Sequence, residues 1–196
     1  MKLRPLSLTV SVCVLTLLTT LPAHAAPAAR SASAPASQPT NPPAPQSSKP
    51  STFDANPEVQ QAATVYAQSA VEHAKKAFDM TLDGSEASIA QVEVALGKLH
   101  DSYAQAAQKP TDDQVMTFAK AYGSYIGEVF RRSHGADWGL LSWDGKVFPG
   151  LRAKTGLEFW PWLRAFNRIE HGGEDNISDY YASLTKTDAS APAAAH

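Results

Sequence analysis

Between Ala26 and Thr52 the chain contains not one Val, Ile, Leu, Met, Phe, Tyr or Trp. Pro, Ala and Ser dominate the stretch, and Arg30 and Lys49 are its two charges. A segment without large apolar side chains has nothing to bury against the entropy of ordering it. The sequence therefore predicts a disordered, proline-stiffened linker over 26–52. Any core must be built after it. The same composition returns in miniature near the end, which predicts a disordered tail over 188–196. One folded unit is left, 53–187, long enough for a single domain with an adequate core.

Upstream of the linker, Lys2 and Arg4 precede an uncharged run from Leu6 to Leu21, and Ala23-His24-Ala25 offers small residues at the two positions a signal peptidase reads. This three-part pattern predicts a secretory signal peptide over 1–25, cleaved after Ala25. No later stretch approaches ~20 consecutive apolar residues, so no membrane span is expected after cleavage. The expected location is periplasmic or secreted. Cys13, the only cysteine, lies inside the leader. The mature chain then has no disulfide, no thiolate nucleophile and no cysteine metal ligand. Mid-run placement of Cys13 also argues against a lipid anchor. Without Lys2 and Arg4, 15 Lys+Arg face 19 Asp+Glu, a formal net charge of −4. That balance carries no bias toward nucleic acid.

Within 53–187, Asn56-Pro57-Glu58 combines a capping side chain, a proline for the first helical position and an acid for the first turn. Val59, Ala62, Ala63, Tyr66, Ala70, Ala74 and Ala77 then recur at helical spacing, an alanine-rich stripe suited to close packing. Phe78, Met80 and Leu82 alternate with polar residues and predict a short extended step before Asp83-Gly84-Ser85 caps a second helix. That helix carries Ile89, Val92, Leu96, Leu99 and Tyr103 on one face. Thr111 and Gln114 stand in capping-box register for a third helix, which bears Val115, Phe118, Tyr122, Tyr125, Ile126, Val129 and Phe130. Gly123 and Gly127, one turn apart, each cost about 1 kcal/mol relative to Ala, so a close backbone crossing is expected there. Gly135 is placed to cap the helix.

The period then changes. Trp138–Trp143, Asp144-Gly145 and Lys146–Phe148 predict a β-hairpin with a two-residue turn, closed by Pro149-Gly150. Leu151–Leu157 is a candidate third strand. Glu158–His171, with Pro161 near its start, predicts a fourth helix stopped by Gly172-Gly173, and Asn176–Leu184 a short fifth. The expected fold class is α+β: an N-terminal layer of about three helices, then a small antiparallel sheet, then two C-terminal helices.

Few residues point to chemistry. Glu128 sits on a mostly apolar helix with Arg131 and Arg132 at ion-pair spacing. Buried, it is a structural carboxylate or, alternatively, a general acid/base. His73, His100, His134 and His171 show no metal-ligand spacing, so neither metal nor cofactor is expected. His134 with Asp137, and His171 with Glu174 and Asp175, would converge only through the fold. Ser124 lies in Gly123-Ser124-Tyr125-Ile126-Gly127, which lacks the G-x-S-x-G register of a nucleophile elbow. All four tryptophans, Trp138, Trp143, Trp160 and Trp162, fall within 25 residues. Residues 131–168 carry a local charge of +4, whereas 54–113 carry −6. Trp and Arg dominate binding hot spots. Glu128, Arg131, Arg132, Trp160, Trp162, Arg164 and Arg168 are therefore the candidate binding residues, for an envelope protein or an anionic envelope polymer. In Phe159-Trp160-Pro161-Trp162 not every aromatic can point inward, so at least one should meet solvent.

Three segments resemble a group of small bacterial α+β domains of unknown function. They are Gly123-x-Tyr125-x-Gly127-Glu128-x-x-Arg131-Arg132 with Gly135-x-x-Trp138, then Leu82-Asp83-x-Ser85-x-x-Ser88-Ile89, and finally Phe166-x-Arg168-Ile169-x-x-Gly172-x-Glu174-Asp175-x-Ile177. The resemblance covers about 60–184 and implies a helix leading into a Trp-starting strand, with no established catalytic role. Some similar domains stand beside toxin or secretion genes. The leading expectation is an exported, non-catalytic binding domain. Its alternatives are an immunity-type inhibitor of an envelope-acting toxin or hydrolase, and a hydrolase using Glu128.

Overall fold

The computed structural model describes residues 52–143 and 145–191. The expected signal peptide and linker lie outside the described residues, as do Asp144 and the last five positions of the tail. The fold class is α+β, with five α-helices and one four-stranded antiparallel sheet among the described residues. No helix among the described residues is long and apolar enough to cross a membrane.

The helical layer forms where local signals predict it. Helix α1 (Pro57–Phe78) is capped by Asn56, whose Oδ1 accepts from the N–H groups of Glu58 and Val59. It buries Ala63, Ala67, Ala70 and Ala74 against helix α3 (Asp112–Phe130). Helix α2 (Ile89–Gln105) follows a 3-10 turn, Glu86–Ser88, capped by Ser85. At the start of α3, Thr111 and Gln114 exchange both bonds of a capping box. Of the predicted extended step, Phe78 belongs to α1 and residues 80–83 join no strand, while Met80 and Leu82 turn inward between exposed neighbours. Asp79 takes a left-handed conformation (φ 53°), and the N–H groups of Asp79 and Met80 close back on Lys75 and Ala74. This is a Schellman-type stop in which aspartate stands where glycine is usual.

One layout expectation needs correcting, because a strand precedes the helices. β1 (Phe53–Ala55) pairs with β2 (Ala136–Trp143), which pairs with β3 (Lys146–Ala153), which pairs with the two-residue β4 (Glu158–Phe159). β2 and β3 pair in the predicted hairpin register, with Trp143 opposite Lys146, but Pro149-Gly150 does not close it. β3 runs straight through both residues. Ser142 N–H bonds Thr52 O, and Asn56 N–H bonds Trp138 O, so Trp138, Leu140 and Ser142 turn their backbone groups toward β1. Pro149 sits opposite Leu140, and its missing N–H therefore faces the other side, where β4 does not reach. The predicted third strand is thus the end of β3. Glu158 and Phe159 belong to β4 rather than to helix α4 (Pro161–His171). Helix α5 (Ile177–Ser190) runs past the expected boundary of the tail, where the Asp188 carboxylate accepts from the Thr155 hydroxyl.

Alternation gives the sheet two faces. The inner face sends Ala136, Trp138, Leu151, Ala153 and Phe159 into the main core. The outer face carries Phe53, Leu141 and Phe148 in one row beside the Gly139–Gly150 pair.

Candidate functional site

Glu128 lies at the end of α3 and is 5% exposed. Its Oε1 accepts from Arg131 Nε at 3.0 Å and from Trp138 Nε1 at 2.9 Å, and its Oε2 accepts from Arg131 Nη2 at 3.0 Å. The carboxylate beside it holds the Arg131 guanidinium more firmly protonated than an isolated arginine, with Asp137 adding to the effect. Arg132 Nε donates to the Glu128 carbonyl at 3.0 Å. The α-helix gives way here to a π-turn, Arg131–Gly135, which re-aims the chain into β2. Among the described residues neither a histidine nor a second carboxyl bonds the Glu128 side chain. Its geometry fixes an indole in place.

Both glycines of the motif have a steric reason. A Cβ on Gly123 would stand 2.6 Å from Pro161 O and 2.7 Å from Trp162 Cα, so α3 and α4 cross backbone to backbone. On Gly127 it would stand 2.4 Å from Trp138 Cζ2, so the second close approach is to a ring rather than to a backbone. Trp162 lies half-buried between Tyr66 and Trp138, and its Nε1 donates to Ser124 Oγ at 2.7 Å. Trp160 goes the other way, toward the outer face beside Gly150. The seven candidate binding residues are therefore divided among several places.

Most of the cationic segment is spent on internal carboxylates. Arg164 Nη1 donates to Asp175 Oδ1 at 2.7 Å, and the guanidinium lies 4.7 Å over Tyr180. Arg168, 7% exposed, donates from Nε and Nη2 to Glu93 Oε1, while Glu93 Oε2 accepts the Ile177 N–H that opens α5. Arg152 pairs with Glu158 and stacks on Phe53. Arg132, Lys146 and Lys154 stay at the surface. The histidines are also committed. His134 bonds Glu86 at 2.8 Å and faces Asp188 at 3.5 Å, instead of meeting Asp137. His171 reaches Asp175, and His100 bonds Ile169 O. His73 bonds the Tyr122 hydroxyl at 2.8 Å, and burial pushes its pKa below the ordinary histidine value. Among the described residues no group of three or more His, Cys, Asp or Glu is arranged to hold a metal ion.

An open groove of about 430 Å³ lies where β1 passes into α1. Ala55, Pro57, Gln60, Gln61, Thr64 and Asp137 line it, with Trp138 in its back wall. Thr64 Oγ1 donates to Gln60 O at 3.0 Å, which leaves its lone pairs facing out. The side chains of Gln60, Gln61 and Asp137 make no hydrogen bond among the described residues. Sequence reasoning passed over this site, because Gln60 and Gln61 look like the ordinary wet face of a helix. The Glu128–Trp138 bond links it to the motif helix.

No protein-family model matches this chain, and no curated protein matches it. A similar solved structure is a Bacteroides thetaiotaomicron VPI-5482 protein, crystallised and determined at 1.50 Å resolution. It is 17% identical, with a TM-score of 0.52 over 71% of this chain. The match spans 48% of that chain. This likeness concerns the fold alone.

Proposed function

We propose that the chain is an exported, non-catalytic recognition domain of the bacterial envelope, carried behind a Pro/Ala/Ser tether. One contrast carries the reading. The acids and bases best placed for chemistry are locked in internal pairs, while the groove beside β1 presents Gln60 and Gln61, whose side chains make no hydrogen bond among the described residues, beside Asp137, whose carboxylate acts on Arg131 without a hydrogen bond. A general base needs a free lone pair within reach of substrate. Three of the roughly four acceptor sites of the Glu128 carboxylate are filled by Arg131 and Trp138, and the side chain is buried. A recognition site needs a concavity with a few available donors and acceptors, which the amides of Gln60 and Gln61 supply, with further acceptor oxygens on Thr64 and Asp137. Pairing of Arg131, Arg152, Arg164 and Arg168 lowers the free positive charge available to a polyanion. The test is a capture experiment from envelope extract with the wild-type protein and a Gln61→Ala/Asp137→Ala double variant. The expected result is a retained component that the variant loses. An identical bound set for both would overturn the role of the groove, and turnover of the captured material would overturn the non-catalytic reading.

A further inference from the structure

Resting on that recognition reading, we infer that the groove between β1, α1 and β2 takes an uncharged saccharide. Its lining decides the chemistry by exclusion and by match. No lysine or arginine lines it, which leaves a phosphate, sulfate or carboxylate ligand without a counter-charge. Its apolar lining consists of Ala55, Pro57 and the nearly fully covered Trp138, too little exposed surface for a lipid chain or a large apolar side chain. What remains is hydrogen-bonding capacity of mixed sign. Gln60 and Gln61 each bring two N–H donors and a carbonyl acceptor, Thr64 an acceptor, and Asp137 two acceptor oxygens able to receive two neighbouring hydroxyls. A sugar ring offers the complement: hydroxyls that both donate and accept, and C–H faces that rest on Ala55 and Pro57. β1 is the edge strand of the sheet but only three residues long, so it offers an extended peptide a short ladder; such a peptide is the competing occupant that the experiment must separate. The volume of about 430 Å³ falls within the range of small-ligand sites. Trp138 is held still behind the site by Glu128, which spares bound sugar the cost of ordering that wall.

The experiment is an amide-resonance titration of the full exported protein with chitotriose, a β-1,4-linked trimer of N-acetylglucosamine. Parallel titrations use trialanine and polyglutamate. The expected result is saturable shifts confined to 55–64 and 137–138, with a Kd of about 1 mM or tighter. Gln61→Ala and Asp137→Ala should each weaken binding by about tenfold with an unchanged melting midpoint, since both side chains stand at the surface. Absence of saturable shifts at sugar concentrations about ten times that Kd would overturn the assignment. So would shifts centred elsewhere, or a stronger response to either control at the same residues. If capture from extract persists while the sugar fails, the recognition reading stands and the saccharide assignment falls. Cleavage of the trimer would sustain the assignment and overturn the non-catalytic reading.

Discussion

The two faces of the sheet handle the same problem, glycine against aromatic, in opposite ways. On the inner face Gly127 admits the Trp138 ring, and the ring is then pinned by a buried carboxylate, by Leu151 and by the second indole of Trp162. Nothing there can give. On the outer face Gly139 lies under the Phe53 ring, and Gly150 under Leu141 and Trp160. Phe53 stays partly exposed at the start of a three-residue strand, and Phe148, in the same row, is 40% exposed. One face is closed and over-determined. The other is partly open at Phe53 and Phe148, although Leu141 between them is fully buried and a Cβ on Gly139 would meet the Asp54 carbonyl. Rigidity in this fold comes less from composition than from how many independent elements press on one ring.

Substitutions can break this comparison, from largest effect to smallest. Gly127→Ala drives a methyl into a fixed indole and should cost about 3 kcal/mol or more by urea unfolding. Gly123→Ala, aimed at backbone, should match it. Glu128→Leu leaves the buried Trp138 N–H without its acceptor and should cost about 2 kcal/mol. Glu128→Gln, which keeps an acceptor for the indole, should lose less. A Leu variant as stable as wild type would remove the pinning role. On the outer face Phe53→Ala should cost about 1–2 kcal/mol, because its ring is only partly covered. Phe148→Ser should lie within about 0.5 kcal/mol of wild type. Equal costs for Phe53→Ala and Gly127→Ala would erase the distinction between the faces.

Acid tests the helical side of the core. The lowered pKa of His73 means that the unfolded chain binds its proton more readily than the folded one. Stability contributed by neutral His73 is therefore intact above the ordinary value of about 6.5 and is lost as pH falls below it. Glu86, held below the usual carboxylate range by His134 and Tyr181, adds a second loss at lower pH. His73→Phe should flatten the first part of the melting-midpoint profile and leave the second unchanged. An unaltered profile would count against His73 as its source.

The helices were legible because their signals are local. Asn56-Pro57 and the Thr111/Gln114 box name their own partners within four residues. The Asp-Gly pair in the sequence did the same for the pairing of β2 with β3. β1 was not legible, because Phe-Asp-Ala has no period of its own and pairs only because β2 is long enough to offer a free edge. Pro149 misled for a related reason: a strand breaker in the middle of a sheet is harmless beside an open edge. At the site, the Glu128–Arg131 pair could be read from its spacing, but the bond to Trp138 required the π-turn. Glu93 with Arg168, 75 residues apart, gave no signal at all. The groove was hidden because it joins a helix surface to a strand that the sequence did not announce.

Pro149 has a further consequence. A strand flank left bare is an invitation for copies of the same molecule to zip together. By withholding a single donor at the midpoint of the uncovered stretch, this residue lets the hairpin project Val147 and Phe148 outward while denying neighbours a continuous rail to add to.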